Sequence, residues 1–444
     1  MNKEITLEQL ASYETAFDGD RANRIAMDAV TKNGVNNAAV RFENAREMRH
    51  TFNISLEQGD ITNQKQSGRC WMFAALNTMR FRIIKKLGVK TFELSQNYAL
   101  FFDKLEKSNY FLESILETLD EPTAGRLVTY LLSGPLGDGG QWDMFANIVR
   151  KYGVVPKDVY DETYQSSNTR SMNAQLNRAL KVAAAGLRRM AADKADADAI
   201  QAEKNKTLNA IYGFLCSCYG EPPKAFDFEF VDKDQVYHIE KNLTPLTFAE
   251  RYVGDLLDQV VSVINAPTAD KPYHKTYTIR LLGNVVEGRP VVHLNLTMDE
   301  FKAAIIAQLK AGKVVWFGSD VGHFGERTLG GWDDRSFDFA ALTGLSLAMD
   351  KADALDYGLA AMNHAMVLTG VNLDEAGKPT RWKIENSWGD KNGEKGYYVC
   401  SDSWFDQYVF QAAVEREYLG GLADLAAQEP IVLEPWDPMG TLAD

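Results

Sequence analysis

The sequence predicts an α+β protein of two lobes, a helical lobe followed by a β-rich lobe, with a helical insertion between them and an arm at each end. Three observations predict this. Beyond the segment Gln64-Lys65-Gln66-Ser67-Gly68-Arg69-Cys70-Trp71, apolar residues recur at Met72, Leu76, Met79, Ile83 and Leu87, the period of a buried helical face. Ala-rich, charged sequence of helical character dominates residues 166 to about 265. From about residue 273 the pattern turns to short apolar and β-branched runs, among them 277–281, 291–294 and 314–318.

Taken in order, residues 1–60 read as an N-terminal arm, with helices expected at about 7–18 and 20–33 and a polar connector through Asn53 and Gln58-Gly59-Asp60. Residues 61–165 form the helical lobe. Its first helix starts at Cys70 and is closed by Gly88, with Lys85 and Lys86 suiting the negative end of the dipole. Helical pattern then runs to about Ser108 and again over 111–132. Residues 166–270 are the helical insertion, with helices over 180–192 and 196–219 and a capping box expected at Thr247 to Glu250; such insertions serve assembly. Residues 271–418 form the β-rich lobe. The remaining 419–444 carry Pro430, Pro435 and Pro438 among Ile431, Val432, Leu433, Trp436 and Leu442, so this arm should be extended yet apolar.

At 444 residues the chain can bury a large core, and 45% hydrophobic with 25% charged residues is ordinary for a globular protein. The net charge of −13 repels phosphate backbones, which makes nucleic acid an unlikely partner. The first residues hold no apolar signal stretch, and no eighteen apolar residues run together, so a cytoplasmic protein without membrane contact is expected. Four cysteines, Cys70, Cys216, Cys218 and Cys400, include no Cys-x-x-Cys, which points to reduced thiols and away from zinc.

Cys70 is the chemical focus. A thiol at a helix N-terminus is expected to be acidified, and the thiolate is the nucleophile. Gly68 allows a sharp turn before it, and the Gln64 amide can fold back beside the Cys70 backbone N–H, two donors that make an oxyanion hole. The glycine-rich run from Gly134 to Trp142 lacks the Lys-Ser/Thr of a phosphate loop. Among six histidines, His364 heads a strand and Asn386 ends another, and a hairpin through the Asp374 to Lys378 turn would set them side by side. One imidazole nitrogen could then reach a thiol while the other is held by the Asn386 amide oxygen.

Gln64, Cys70-Trp71, His364 and Asn386-Ser387-Trp388, in that order, resemble the active-site set of papain-like cysteine peptidases. The long Cys-to-His separation and the tail from Pro435 to Ala443 make the chain similar, over its entire length, to the bleomycin hydrolase and bacterial aminopeptidase C family. That resemblance implies a papain-like fold. It implies Cys70 as nucleophile, His364 as base and then acid, Asn386 as the orienting group, and Gln64 with the Cys70 N–H as oxyanion hole. It further implies that Gly139 and Gly140 line the substrate cleft, that Trp388 shields the His–Asn bond, and that the tail enters the cleft and offers the carboxylate of Asp444 to the substrate's α-amino group. Family tails commonly end in Ala or Ala-Lys, so Asp444 is a departure that adds a second carboxylate. The implied activity is a broad cysteine aminopeptidase acting on peptides through a thioester, with no metal or organic cofactor, extending to bleomycin-like amides and assembled as a homohexamer. The alternatives are an endopeptidase or acyltransferase using the same thiol, and a non-catalytic nucleic-acid-binding ring.

Overall fold

One mixed sheet organises the described residues, 4–443, of this computed structural model. Its strands run in the order Ile431–Leu433, Thr276–Ile279, His293–Asn295, Val260–Ile264, Val409–Glu415, Val315–Ser319, His364–Leu373, Pro379–Glu385, Tyr397–Ser401, Gly331–Trp332, Gly325–Glu326, and Ile54–Ser55 adds to His364–Leu373. Val315–Ser319 and Val409–Glu415 are buried at every position, so both faces are covered and the strands read as continuous rather than alternating apolar runs. The helix Cys70–Leu87 lies against the strands His364–Leu373 and Val315–Ser319. It is buried nearly all round, as a helix wedged between two lobes must be. That contact is what brings the cysteine and histidine segments together.

The helical lobe is built on Gln96–Glu117, with Arg126–Ser133 and Trp142–Tyr152 beside it. The pattern expected over 111–132 is broken after Glu117, and a new helix starts beyond Pro122 and Gly125. Arg170–Ala192 and Ala197–Tyr219 pack on each other and on Gln96–Glu117, the first burying Met172, Leu176, Leu180, Ala184 and Leu187 along one stripe.

Residues 166–270 are less purely helical than expected. The hairpin Phe226–Val231 with Tyr237–Leu243 was legible in the period-two phenylalanines Phe226, Phe228 and Phe230, and Val260–Ile264 is a strand of the main sheet. The capping box also moves: Thr244 caps the helix Pro245–Tyr252 by accepting from the Thr247 N–H, because Pro245 takes the first helical position where no N–H is needed.

The N-terminal helices Leu7–Gly19 and Arg21–Asn33 bury no residue, whereas Ile54 and Ser55 pair with Val371 and Gly370 of the sheet, so the far end of the 1–60 segment is part of the β-rich lobe. The last arm is only partly extended. Ile431–Leu433 pairs in parallel with Thr276–Ile279, and Pro438–Ala443 winds into 3₁₀ turns.

Candidate active site

Cys70 is the first residue of its helix, only 4% exposed, and Gly88 ends that helix in the left-handed conformation at φ +64°. The loop before it is fixed by charge. The Arg69 guanidinium, fully buried, forks onto both Glu162 oxygens at 2.9 and 2.8 Å. The left-handed residue of the turn is Lys65, at φ +55°, rather than Gly68. Gly68 is needed for a different reason: a Cβ there would sit 2.9 Å from that of Asp138, whose carboxylate accepts the Gly68 N–H at 2.9 Å. Asp138 also takes Lys104 at 2.6 Å, Asn173 at 2.8 Å and Thr169 at 2.5 Å. Burial opposes its charge, but Lys104 and these donors hold the carboxyl well below the usual range. One side chain thus ties the glycine-rich loop, the cysteine loop and the 170–192 helix together.

On the sheet side, the hairpin pairs Val367 with Glu385, and the His364 Nε2 meets the Asn386 Oδ1 at 2.9 Å. The Ser387 N–H donates to the same oxygen at 2.8 Å. An oxygen that accepts from a backbone amide is an acceptor, so Nε2 carries the proton and the neutral imidazole leaves Nδ1 as its basic nitrogen. Trp388 packs on the imidazole with ring centroids 4.7 Å apart.

Gln64 is clamped to the same segment. Its N–H donates to the Ser387 carbonyl at 2.9 Å, its Oε1 accepts from the Ser387 hydroxyl at 2.6 Å, and its Nε2 donates to the Ser67 carbonyl at 2.7 Å. The Nε2 amide has two hydrogens, so one remains for an oxyanion.

The tail reaches this place. The Leu442 carbonyl accepts the Gly140 N–H at 2.9 Å, the Met439 carbonyl accepts from Gln141 Nε2 at 3.1 Å, and the Thr441 hydroxyl donates to the Met362 carbonyl at 2.9 Å, two residues before His364. Gly140 must be glycine, since a Cβ would lie 2.6 Å from the Trp71 indole. The Gly139 carbonyl accepts from Lys107 at 2.5 Å. Cys70, His364, Asn386, Gln64, Gly139, Gly140 and Trp388 therefore come together, while Asp444 lies outside the described residues.

The model of the Peptidase C1-like family matches residues 4–440. This chain belongs to that family. It is 46% identical over 447 residues to aminopeptidase C of Lactobacillus delbrueckii subsp. lactis, covering 100% of this chain and 99% of the relative. To aminopeptidase C of Streptococcus thermophilus it is 51% identical over 418 residues, 94% of each chain. The crystal structure of PepW from Lactobacillus rhamnosis HN001 superposes with a TM-score of 0.97 at 50% identity over 99% of both chains. The fold is papain-like α+β.

In this Peptidase C1-like chain the thiol is not acidified as its helix position predicts. Burial pushes Cys70 up to about 11, against the pull of the N–H groups of Ala365, Trp71 and Cys70 itself. Burial likewise lowers His364 to about 4, opposed by its bond to Asn386. Burial thus disfavours either charge alone; the groups that would favour the charges are the N–H donors around the thiol and the Asn386 oxygen at the imidazole. Sequence reasoning missed Asp138 and Ser387. Both lie inside segments that carry other site residues, and their signal was position: a carboxylate within a glycine loop and a hydroxyl next to the asparagine.

Proposed function

We propose that the chain is a cysteine aminopeptidase that removes N-terminal residues from peptides. The observation that carries this is the bond from the Gly140 N–H to the Leu442 carbonyl, which lays the tail in one half of the cleft next to Cys70. A peptide entering from that side has room for only a short N-terminal portion before the scissile bond, so selectivity is a matter of length and position. Cys70 attacks the carbonyl after giving its proton to His364 Nδ1; Gln64 and the Cys70 N–H hold the developing oxyanion. His364 protonates the leaving amine, then activates the water that opens the thioester. Bleomycin-like amides fit the same chemistry.

Three features support a cytoplasmic homohexamer. The cysteines Cys70, Cys216, Cys218 and Cys400 are free thiols, and among the described residues no helix is long and apolar enough to cross a membrane. The N-terminal helix leaves Leu7, Leu10, Tyr13 and Phe17 exposed along one side, a surface suited to another copy.

The test compares a free-amine aminoacyl amide with its N-acetylated form, for the full chain and for a chain ending at Pro438. Cleavage of the free amine alone, relaxed by truncation, is expected. Equal cleavage of both by the full chain refutes the aminopeptidase reading, and residual turnover in Cys70→Ala refutes the nucleophile.

A further inference from the structure

Arg327 lies in the loop between the strands Val315–Ser319 and Gly331–Trp332, exposed, with its guanidinium carbon 4.7 Å from the centre of a Trp388 ring. Trp388 in turn packs on His364 at 4.7 Å. Arg327 makes no hydrogen bond or ion pair among the described residues. Its neighbour Glu326 accepts the Leu329 N–H at 2.5 Å and forms no ion pair with it among the described residues. The charge is nonetheless felt at the imidazole: burial is the main cause of the lowered His364 value, and Arg327 adds to it. A lone cation beside the reacting pair is conspicuous in a chain of net charge −13.

Its place within the cleft sets its role. The tail's hydrogen bonds run to Gly140, Gln141 and Met362, and none goes to Trp388, Gln64 or Ser387. The half of the cleft that receives the leaving amine is therefore the half floored by Trp388. Stacking on the indole face fixes the guanidinium plane and turns its N–H edge outward, the geometry that takes a carboxylate through two parallel bonds. The two ring steps from His364 to Arg327 are 4.7 Å each, and an extended chain covers about 3.5 Å per residue. The two steps add to at most 9.4 Å, which two residues beyond the scissile nitrogen, about 7 Å, reach once a hydrogen bond of about 2.9 Å to the guanidinium is included.

We infer that Arg327 is a specificity-determining residue that binds a carboxylate on the leaving side, namely the free α-carboxylate of short peptides, tripeptides foremost. This deepens the proposed aminopeptidase function and rests on it.

The test uses the full chain with alanyl-glycyl-glycine, its C-terminal amide, and alanyl-glycyl-glutamic acid α-amide, whose only carboxylate is the side chain. The kcat/KM ratio of free acid to amide should be about tenfold in the wild type and fall toward one in Arg327→Gln, with Arg327→Lys between, since a lysine keeps charge but not the fork. In the wild type alone, the ratio should shrink as salt rises from 0.05 to 0.5 M, roughly as screening of an exposed pair requires. The glutamyl α-amide should follow the glycyl amide. A wild-type ratio near one, or an unchanged ratio in Arg327→Gln, overturns the inference; a glutamyl α-amide matching the free acid overturns the α-carboxylate assignment. Failure of the wild type to cut any of the three would count against the aminopeptidase function instead.

Discussion

The Gly140 N–H donates to the Leu442 carbonyl at 2.9 Å, so the chain's own backbone already holds the donor that the glycine loop offers to an extended peptide. A methyl group on Gly140 would meet the Trp71 indole at 2.6 Å, and neither partner has space to yield. Gly140→Ala should therefore lower kcat/KM at least tenfold and destabilise the fold by about 1–3 kcal/mol, the usual cost of overpacking. Steady-state kinetics and thermal melting check this; wild-type values for both would show slack in the loop.

Ser387→Ala removes the hydroxyl that fixes the Gln64 Oε1 at 2.6 Å. The Gln64 amide can then rotate, and kcat should drop about tenfold with little change in KM, against about a hundredfold for Gln64→Ala, which deletes the oxyanion donor outright. A Ser387→Ala enzyme as fast as wild type would mean that the Ser67 carbonyl and the backbone bond suffice to hold Gln64.

Glu385 is 1% exposed and accepts from Arg80 and Asn77 at 2.7 Å and from Gln58 at 2.5 Å. Glu385→Ala leaves the buried Arg80 charge without its partner, at a cost of about 3–5 kcal/mol, whereas Glu385→Gln keeps the shape and should cost less. Urea unfolding of the three proteins decides it. Equal stabilities would place the anchor of Asn386 elsewhere.

Burial holds both His293 and His364 at about 4, below the ordinary 6.5. Between these values the unfolded chain takes up protons that the folded chain does not, so stability is full above pH 6.5 and is lost as pH falls toward 4. The loss is on the order of 3 kcal/mol per histidine. His293→Gln should shrink the drop in melting temperature between pH 7 and pH 4.5, with His364 and His50, both also lowered by burial, supplying part of what remains. An unchanged drop would mean that His293 is protonated in the folded state.

Much of this site was legible in the sequence because its members are bound to local patterns. Cys70 opens an apolar-periodic helix, and His364 and Asn386 bracket one hairpin whose turn is spelled by Asp374 and Gly377. What was not legible depends on contacts distant in sequence. Burial outweighs the helix N-terminus at Cys70, and that burial comes from elements hundreds of residues away. Gly68 looked like a turn residue and is instead a contact residue, because the Asp138 it touches arrives from a separate loop. The strand Val260–Ile264 was hidden by the helical sequence that runs directly into it, ending in the helix Leu256–Gln259, although its Val-Val-Ser-Val-Ile composition favours a sheet.

The carboxylate of Glu385 bolts the base of the two walls together, since Arg80 and Asn77 belong to the cysteine helix and Glu385 ends the strand that leads into Asn386. Prising the walls apart would strand desolvated charge, whereas lifting the last residues beyond Met439 gives up the neutral hydrogen bonds of Leu442 and Thr441, the base of the tail staying anchored by the Asp437–Lys271 ion pair at 2.8 Å. The molecule is thus a vise with fixed jaws and a movable tongue, and traffic through it is governed by the tongue.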